Sequence, residues 1–285
     1  MNSTRKTSKS KTSTSKTSRS KTSSQKLTFK NDQGQELAGL LSIPQLPHRG
    51  VALFAHCFTC TKNIAAASRI SRALARKKFV VLRFDFTGLG NSDGDFANTN
   101  FSSNVQDLIS AADYLRDNWG APEVLIGHSL GGSAVLAAAA HIPESKAVVT
   151  IGAPASPEHV VQQFHCDLPT LQEQGEADVV LGGKTFRIKR QFLEDISAQD
   201  LREKARELKR ALPIFHAPND EVVDIGEATS LYHAARHPKS FVSLDSADHM
   251  LSKAADANYA ADAIAAWIKR YIPAATRKNL VAKVI

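Results

Sequence analysis

Short, continuously apolar segments alternate along this chain with segments whose apolar residues recur at helical spacing. The apolar segments are predicted strands: 50–56, 79–85, 123–129, 147–154, 212–218 and 240–245. The predicted helices lie between or after them: 63–76, 105–115, 130–140, 225–236 and a last one around 264–271. Strands that are apolar on both faces are typical of parallel sheets covered by helices on both sides. The pattern therefore predicts an α/β fold with a mostly parallel central sheet.

Two departures from this alternation define the predicted domain organisation. Residues 27–272 are expected to form one domain, which opens with a hairpin around Asp32–Gln35. The charged stretch 156–210 interrupts the alternation, with a possible hairpin at Gly182 and Gly183 and a helical stretch near 197–210. An insertion at this point is expected to form a small cap over the carboxyl ends of the strands. Residues 273–285 are expected to be a C-terminal tail.

The first 26 residues are almost entirely Ser, Thr, Lys and Arg, and they carry eight of the 36 basic residues and no acidic residue. Such a segment cannot bury apolar surface, so residues 1–26 are predicted to be disordered and to bind polyanions weakly at most. The remainder is electrically balanced, which argues against a specific nucleic-acid partner. The segment has no apolar core of a secretory signal, although its composition overlaps with that of transit peptides. Targeting is the less favoured interpretation, and a cytoplasmic location is expected.

The pentapeptide Gly127–Gly131 reads G-H-S-L-G between a predicted strand and a predicted helix. In that setting G-x-S-x-G is typical of a nucleophile elbow, a turn so tight that the residues two positions before and after the serine must be small. Ser129 is therefore the predicted nucleophile. The free N–H groups at the start of the next helix favour developing negative charge, and the N–H of Leu130 is a predicted oxyanion donor.

A second oxyanion donor is expected after the strand at 50–56, where the sequence reads H-C-F-T-C. The N–H of Phe58 is the predicted donor, and His56 is expected to orient the loop. Cys57 and Cys60 also form C-x-x-C, but no helix begins at the first cysteine as in a thioredoxin-like site. With only three cysteines in the chain, both are predicted to be small packing thiols in a reducing compartment. Redox chemistry is the less favoured alternative.

An acid and a histidine follow the last two strands, in the order in which an elbow serine is usually completed. Asp220 comes after the strand at 212–218, with Glu221 as its nearby rival, and His249 comes after the strand at 240–245. His249 is the predicted general base and Asp220 its orienting carboxylate. No cofactor or metal is expected. The glycine-rich loop 85–94 lacks the register of a nucleotide-binding motif and is predicted to be a turn beside the site, and no segment approaches the length of a membrane span.

Four segments, HCFTCTK, VLRFDFTGLGNSDG, NFSSNVQDL and GHSLGG, give the chain a family resemblance. It resembles the α/β-hydrolases that are often joined to an OsmC-type peroxide-reductase domain, and more loosely serine-aminopeptidase-type and esterase-type hydrolases. The resemblance implies an α/β-hydrolase fold and places Ser129, Asp220 and His249 in the triad positions. The chain reaches only Ile285, so peroxide-reductase activity is not expected to carry over.

Hydrolysis of a small acyl substrate, an ester or a thioester, is the favoured function. A peptide substrate, perhydrolysis and a non-catalytic adaptor on the same scaffold are the alternatives. Substrate preference is expected to reside in the cap. Four aromatic residues are candidates for lining a pocket, although packing is the favoured interpretation: Phe58, Phe164, Phe186 and Phe192.

Overall fold

The computed structural model describes residues 22–45, 47–57, 59–156, 159, 161, 168–181 and 183–272. Several predictions fall on residues outside these ranges: most of the N-terminal tail, Phe58, Phe164 and the tail 273–285. The strands in the described part are β1 Ser23–Lys30, β2 Glu36–Ile43, β3 Gly50–Ala55, β4 Phe79–Phe84, β5 Val124–His128, β6 Ala147–Ile151, β7 Glu176–Leu181, β8 Lys184–Lys189, β9 Leu212–His216 and β10 Lys239–Ser243. The α-helices are α1 Ala65–Arg76, α2 Phe101–Asn118, α3 Leu130–Ala138, α4 Leu168–Gln174, α5 Arg190–Ser197, α6 Leu201–Glu207, α7 Ile225–Ala234 and α8 Ala254–Ile268.

Eight strands form the central sheet in the order β1-β2-β4-β3-β5-β6-β9-β10. The pairs β1–β2 and β2–β4 are antiparallel, and every pair from β4 to β10 is parallel. The carboxyl ends of β3, β5, β6 and β9 therefore lie together at one edge of the sheet. The loops after those strands carry the predicted nucleophile, oxyanion donors and acid.

The sheet separates two apolar cores, as the uninterrupted apolar strands require. One face is covered by α2 and α3, together with β7, α5 and α6 of the insertion. The other face is covered by α1 and α8, which also pack on each other. Ile70 and Leu74 of α1 and Ile264 and Ile268 of α8 are all buried, in phase with the helical spacing that predicts these helices. This arrangement confirms the predicted α/β fold with a mostly parallel sheet.

Two sequence predictions need correction at element boundaries. The predicted disordered tail extends to residue 26, but β1 begins at Ser23, which pairs with Ile43 of β2. An edge strand is held by main-chain hydrogen bonds, so its polar and exposed residues carry no apolar signal. The helical stretch predicted near 197–210 is a shorter helix, α6, which Asp200 caps by accepting from the Glu203 N–H; the preceding helix α5 ends at Ser197.

The insertion contains the predicted hairpin, formed by β7 and β8. It is attached to the first turn of α2, where Asp195 of α5 accepts hydrogen bonds from the Ser102 backbone N–H at 2.7 Å and from its hydroxyl at 2.5 Å. Phe192 is buried, and the Phe186 ring lies 5.1 Å from that of Phe96. Both aromatic side chains therefore pack within the protein, as the favoured interpretation expects.

No helix in the described ranges is long and apolar enough to span a membrane.

Candidate active site

Ser129 occupies a one-residue turn between β5, which ends at His128, and α3, which begins at Leu130. Its backbone has φ 55° and ψ −132°, a strained conformation for a residue with a side chain. The Ser129 N–H donates to the Ile151 carbonyl at 2.8 Å, and its own carbonyl accepts from the Gly132 N–H at 2.8 Å. These two bonds fix the turn from both sides, and Ser129 itself stays partly exposed.

The glycines around Ser129 are required by close backbone packing. A Cβ on Gly127 would lie 2.2 Å from the carbonyl oxygen of Gly131, and a Cβ on Gly131 would lie 2.4 Å from that of His56. Both distances are far below any real contact, so a side chain at either position would force the backbone to shift. The second contact also shows that the start of α3 packs directly on the end of β3. Leu130 and the loop that follows β3 are therefore neighbours.

The β3–α1 loop, residues 56–64, is anchored by a buried ion pair. The Lys62 ammonium contacts the Asp85 carboxylate, which also accepts from the Lys62 N–H at 2.6 Å and from the Asn91 N–H at 3.0 Å. A Cβ on Gly90 would lie 2.2 Å from Asp85, so this glycine serves a close approach within the loop. The glycine-rich loop 85–94 thus supports the β3–α1 loop, in agreement with its prediction as a turn beside the site.

Cys57 and Cys60 form a disulfide with a Cα–Cα distance of 5.4 Å. The prediction that both are free packing thiols is therefore wrong. The C-x-x-C spacing allows a disulfide, but only the turn itself brings the two side chains together: the Cys60 N–H donates to the Cys57 carbonyl at 3.2 Å. The same carbonyl accepts from Nδ1 of His56 at 2.8 Å. Burial lowers the pKa of His56, so the ring is neutral and orients the loop as expected.

Asp220 and His249 are brought together across the ends of β9 and β10. Nδ1 of His249 lies 2.8 Å from Oδ2 of Asp220, while Oδ1 of Asp220 accepts from the N–H groups of Val222 and Val223 at 2.9 Å each. Burial works to raise the pKa of Asp220, but the hydrogen bonds from His249 and the two amides outweigh it, and the pKa lies below its ordinary value. The rival Glu221 is exposed.

Gly152 shows where this pair sits relative to Ser129. Gly152 follows Ile151, the residue that accepts the Ser129 N–H, and a Cβ on Gly152 would lie 3.3 Å from both Asp220 Oδ2 and His249 Nδ1. The acid and the histidine therefore flank the end of β6 beside the elbow. Among the described residues no hydrogen bond joins the Ser129 hydroxyl to His249. Catalytic hydrogen bonds are often long in unliganded enzymes and shorten when substrate binds.

His128 contacts His249 directly, and the sequence does not predict this contact. Its Nε2 lies 2.7 Å from the His249 carbonyl oxygen, and the two rings are 5.0 Å apart. Burial above all, and then the nearby His249, lower the pKa of His128 to about 4. The ring is therefore neutral at pH 7, and its Nε2–H donates to the carbonyl. Its position inside the elbow motif carries no signal of this contact.

His216 is a second buried histidine for which the sequence predicts no role. Its Nε2 lies 2.8 Å from the Val223 carbonyl and 3.7 Å from Oδ2 of Asp220. It thus supports the turn that presents Asp220, from the last residue of β9. The described residues contain no group of three or more His, Cys, Asp or Glu side chains arranged to hold a metal.

Comparisons with known proteins agree with this geometry at the level of the family. The family model of the "Alpha/beta hydrolase family" matches residues 52–281. The solved esterase domain of a Rhodothermus marinus protein is 46% identical, with a TM-score of 0.72, and the match covers 88% of this chain and 99% of that one. Mouse alpha/beta hydrolase domain-containing protein 10 is 20% identical with a TM-score of 0.68, and the match covers 86% of this chain and 99% of that one, a likeness of fold alone.

Curated relatives include the mitochondrial palmitoyl-protein thioesterase ABHD10. The rat protein is 38% identical over 84 residues, which cover 30% of this chain and 27% of the relative. The mouse protein is 27% identical over 153 residues, covering 50% of this chain and 49% of the relative. The chain thus spans less than half the length of these curated relatives. The fold predicted from the sequence is confirmed, and this chain belongs to the alpha/beta hydrolase family.

Proposed function

We propose that the protein is a serine hydrolase that cleaves a carboxylic ester or thioester through an acyl-enzyme on Ser129. The observation that carries this proposal is the 2.8 Å hydrogen bond between Asp220 and His249, placed beside a serine in a strained strand-to-helix turn. A buried carboxylate of depressed pKa, paired with an imidazole, is the arrangement that a general base needs in order to present one defined tautomer.

The proposed reaction begins with the nucleophile and its base. Asp220 accepts the proton on Nδ1 of His249, so Nε2 is left free as the base. Nε2 takes the proton from the Ser129 hydroxyl as the oxygen attacks the substrate carbonyl carbon. The carbonyl becomes an oxyanion, and His249 becomes an imidazolium that the ionised Asp220 stabilises.

The second half of the reaction returns the proton. The tetrahedral intermediate collapses, the bond to the leaving group breaks, and the imidazolium protonates the departing alkoxide or thiolate. A water molecule, deprotonated by His249, then attacks the acyl-enzyme and releases the carboxylic acid with Ser129 restored. No cofactor enters any of these steps.

The oxyanion hole is proposed to use two main-chain N–H groups. Leu130 is the first residue of α3, so its N–H has no partner within the helix and points toward the amino-terminal end of the helix dipole. Phe58, whose N–H is the proposed second donor, follows Cys57 in the β3–α1 loop. The contact between Gly131 and His56 supports this pairing, because it brings that loop against the first turn of α3. Each such donor is worth roughly 100- to 1,000-fold in rate.

The substrate class is proposed from the chemistry of the site and from the relatives. The names of the relatives mention an esterase domain and a palmitoyl-protein thioesterase, which supports an ester or a thioester as the substrate. Residues 156–210 are proposed to act as the cap that selects the acyl group. Peptide cleavage and perhydrolysis at the same site are the alternatives, and the association with OsmC-type domains stays a prediction. So do the cytoplasmic location and the disorder of the tail.

A fluorophosphonate probe followed by intact mass measurement tests the proposal. We expect one label per wild-type molecule, one per molecule of Ser110→Ala, and none on Ser129→Ala. Ser110 is a helix serine of α2 whose hydroxyl donates to the Gln106 carbonyl of the preceding turn, so it is a suitable control. A folded wild-type protein that takes no label, or a Ser129→Ala protein labelled as strongly as wild type, would contradict the proposal.

A panel of p-nitrophenyl esters and acyl-coenzyme A thioesters of increasing chain length then separates the substrate classes. Peptide substrates and peroxide acceptors form the other arms of the panel. Hydrolysis of esters or thioesters that is lost in Ser129→Ala is the expected result. Activity confined to peptides, or dependent on peroxide, would favour the alternatives.

A further inference from the structure

The disulfide between Cys57 and Cys60 lies in the β3–α1 loop, which is proposed to supply the second oxyanion donor. Cys57 follows His56 at the end of β3, and the backbone there packs on Gly131 of α3. The ring that the disulfide closes contains only four residues, and the proposed oxyanion donor, the N–H of Phe58, belongs to that ring. A change in the ring is therefore expected to change the position of the proposed oxyanion donor.

The ring contains a backbone conformation that is unfavourable for the residue that adopts it. Thr59 has φ 62°, in the left-handed region, which is unfavourable for a β-branched residue. No glycine lies in the ring to ease this conformation, and we attribute it to the closure of the ring by the disulfide. The hydrogen bond from the Cys60 N–H to the Cys57 carbonyl is long, at 3.2 Å, and is a weak restraint beside a covalent bond.

Both ends of the loop are fixed independently of the disulfide. On one side, the His56 ring donates to the Cys57 carbonyl; on the other, the ion pair of Lys62 with Asp85 is buried. A disulfide that closes so short a loop removes little chain entropy from the unfolded state. Opening it should therefore loosen the ring between two fixed ends and leave the fold intact.

The two cysteines also differ in exposure. Cys57 is buried, with 5% of its surface exposed, whereas Cys60 is partly exposed. A thiolate from solvent can attack the Cys60 sulfur, break the S–S bond and release the Cys57 sulfur as a thiolate. The second thiolate of the reductant then attacks the reductant sulfur of the mixed disulfide and releases the Cys60 sulfur as a thiolate. The sum converts the protein disulfide and one dithiol into two protein thiols and one oxidised dithiol, so atoms and electrons balance.

We propose that Cys57 and Cys60 are positioning residues, whose disulfide sets the oxyanion geometry, and that a dithiol reductant reversibly lowers kcat by opening it. This inference rests on the proposed function. The disulfide touches no reacting atom, and its effect passes through the N–H groups of the ring. Reduction should therefore act on the transition state, where the oxyanion exists, more than on substrate binding.

The test compares oxidised and reduced wild-type protein, with the state of each sample counted by alkylation and intact mass. Protein is reduced with dithiothreitol, desalted and assayed on a p-nitrophenyl ester. We expect kcat to fall by about tenfold or more while KM changes less than about threefold, and we expect the melting temperature to stay nearly constant. Oxidised glutathione should restore kcat.

Two variants make the result specific to this pair. Cys166→Ser removes the third cysteine and should keep the wild-type ratio of oxidised to reduced kcat. Cys57→Ser/Cys60→Ser should have the kcat of the reduced protein and no redox response. An unchanged kcat in fully reduced wild type, full kcat in the double variant, or an activity loss explained by unfolding would overturn the inference. Failure of the proposed function looks different: Ser129→Ala would then match wild type in both redox states.

Discussion

Replacing His128 with glutamine should change how the stability of this protein depends on pH. His128 is almost completely buried, with 1% of its surface exposed, and burial with the neighbouring His249 lowers its pKa to about 4 from the ordinary 6.5. Between these two pH values the unfolded state binds a proton at this site and the folded state does not. The free energy of unfolding therefore falls as pH falls from about 6.5 to about 4, by about 3 kcal/mol from this one group.

A glutamine in place of His128 would keep an N–H donor near the position of Nε2, which bonds to the His249 carbonyl, but it would not titrate. Urea unfolding of both proteins at constant ionic strength, in steps from pH 7.5 to pH 4, gives the difference in unfolding free energy at each pH. We expect that difference to shift by about 3 kcal/mol in favour of His128→Gln between pH 6.5 and pH 4. His141→Gln, at an exposed position, should follow the wild-type curve. A difference that stays constant over the whole range would show that His128 is not the group responsible.

Three further substitutions test the site and one buried acid. Asp220→Asn keeps the size of the side chain but presents the wrong tautomer of the base, so kcat should fall by about 1,000- to 10,000-fold with little change in KM, measured on an ester substrate. Gly131→Ala places a Cβ 2.4 Å from the His56 carbonyl oxygen and should lower kcat by about tenfold or more, whereas the control Gly226→Ala meets only a movable Asp side chain. Burial raises the pKa of Asp107 from 3.8 to about 6, so between these pH values the folded protein keeps a proton that the unfolded chain has lost. The free energy of unfolding therefore falls as pH rises from about 4 to 6. In urea unfolding, Asp107→Asn should therefore gain about 3 kcal/mol relative to wild type between pH 4 and pH 6. A wild-type kcat in Asp220→Asn or Gly131→Ala would contradict the first two expectations. A difference in unfolding free energy between Asp107→Asn and wild type that does not change with pH would contradict the third.

The sheet can be predicted because its signal is local. The inner parallel strands β3, β4, β5, β6 and β9 are mostly apolar and are buried at every position, since helices cover both faces of the sheet. The helices between them show their own spacing. The elbow can be predicted for the same reason: Gly127, Ser129 and Gly131 lie within five residues, and a close contact that demands glycine is made within that turn. Asp220 can be placed by its position after a strand, and the 2.8 Å contact with His249 agrees with that placement.

What escapes prediction depends on contacts between distant parts of the chain or on main-chain bonding alone. The contact of His128 with the His249 carbonyl joins residues 121 positions apart, and nothing in the spacing of either indicates it. β1 begins at Ser23 because its amides pair with β2, whatever its side chains are. The Cys57–Cys60 disulfide requires a turn with Thr59 in the left-handed region, which residue preferences argue against.

Locating the acyl group during turnover tests the proposed acyl-enzyme directly. Wild-type protein is mixed with a slowly hydrolysed ester, quenched in acid and digested, and the peptides are mapped by mass spectrometry. We expect the acyl mass to appear on the peptide containing Ser129, at that residue, and to accumulate in a burst of one equivalent or less. Turnover of the ester with no acyl group on Ser129, or with the acyl group on another residue, would contradict the proposed mechanism.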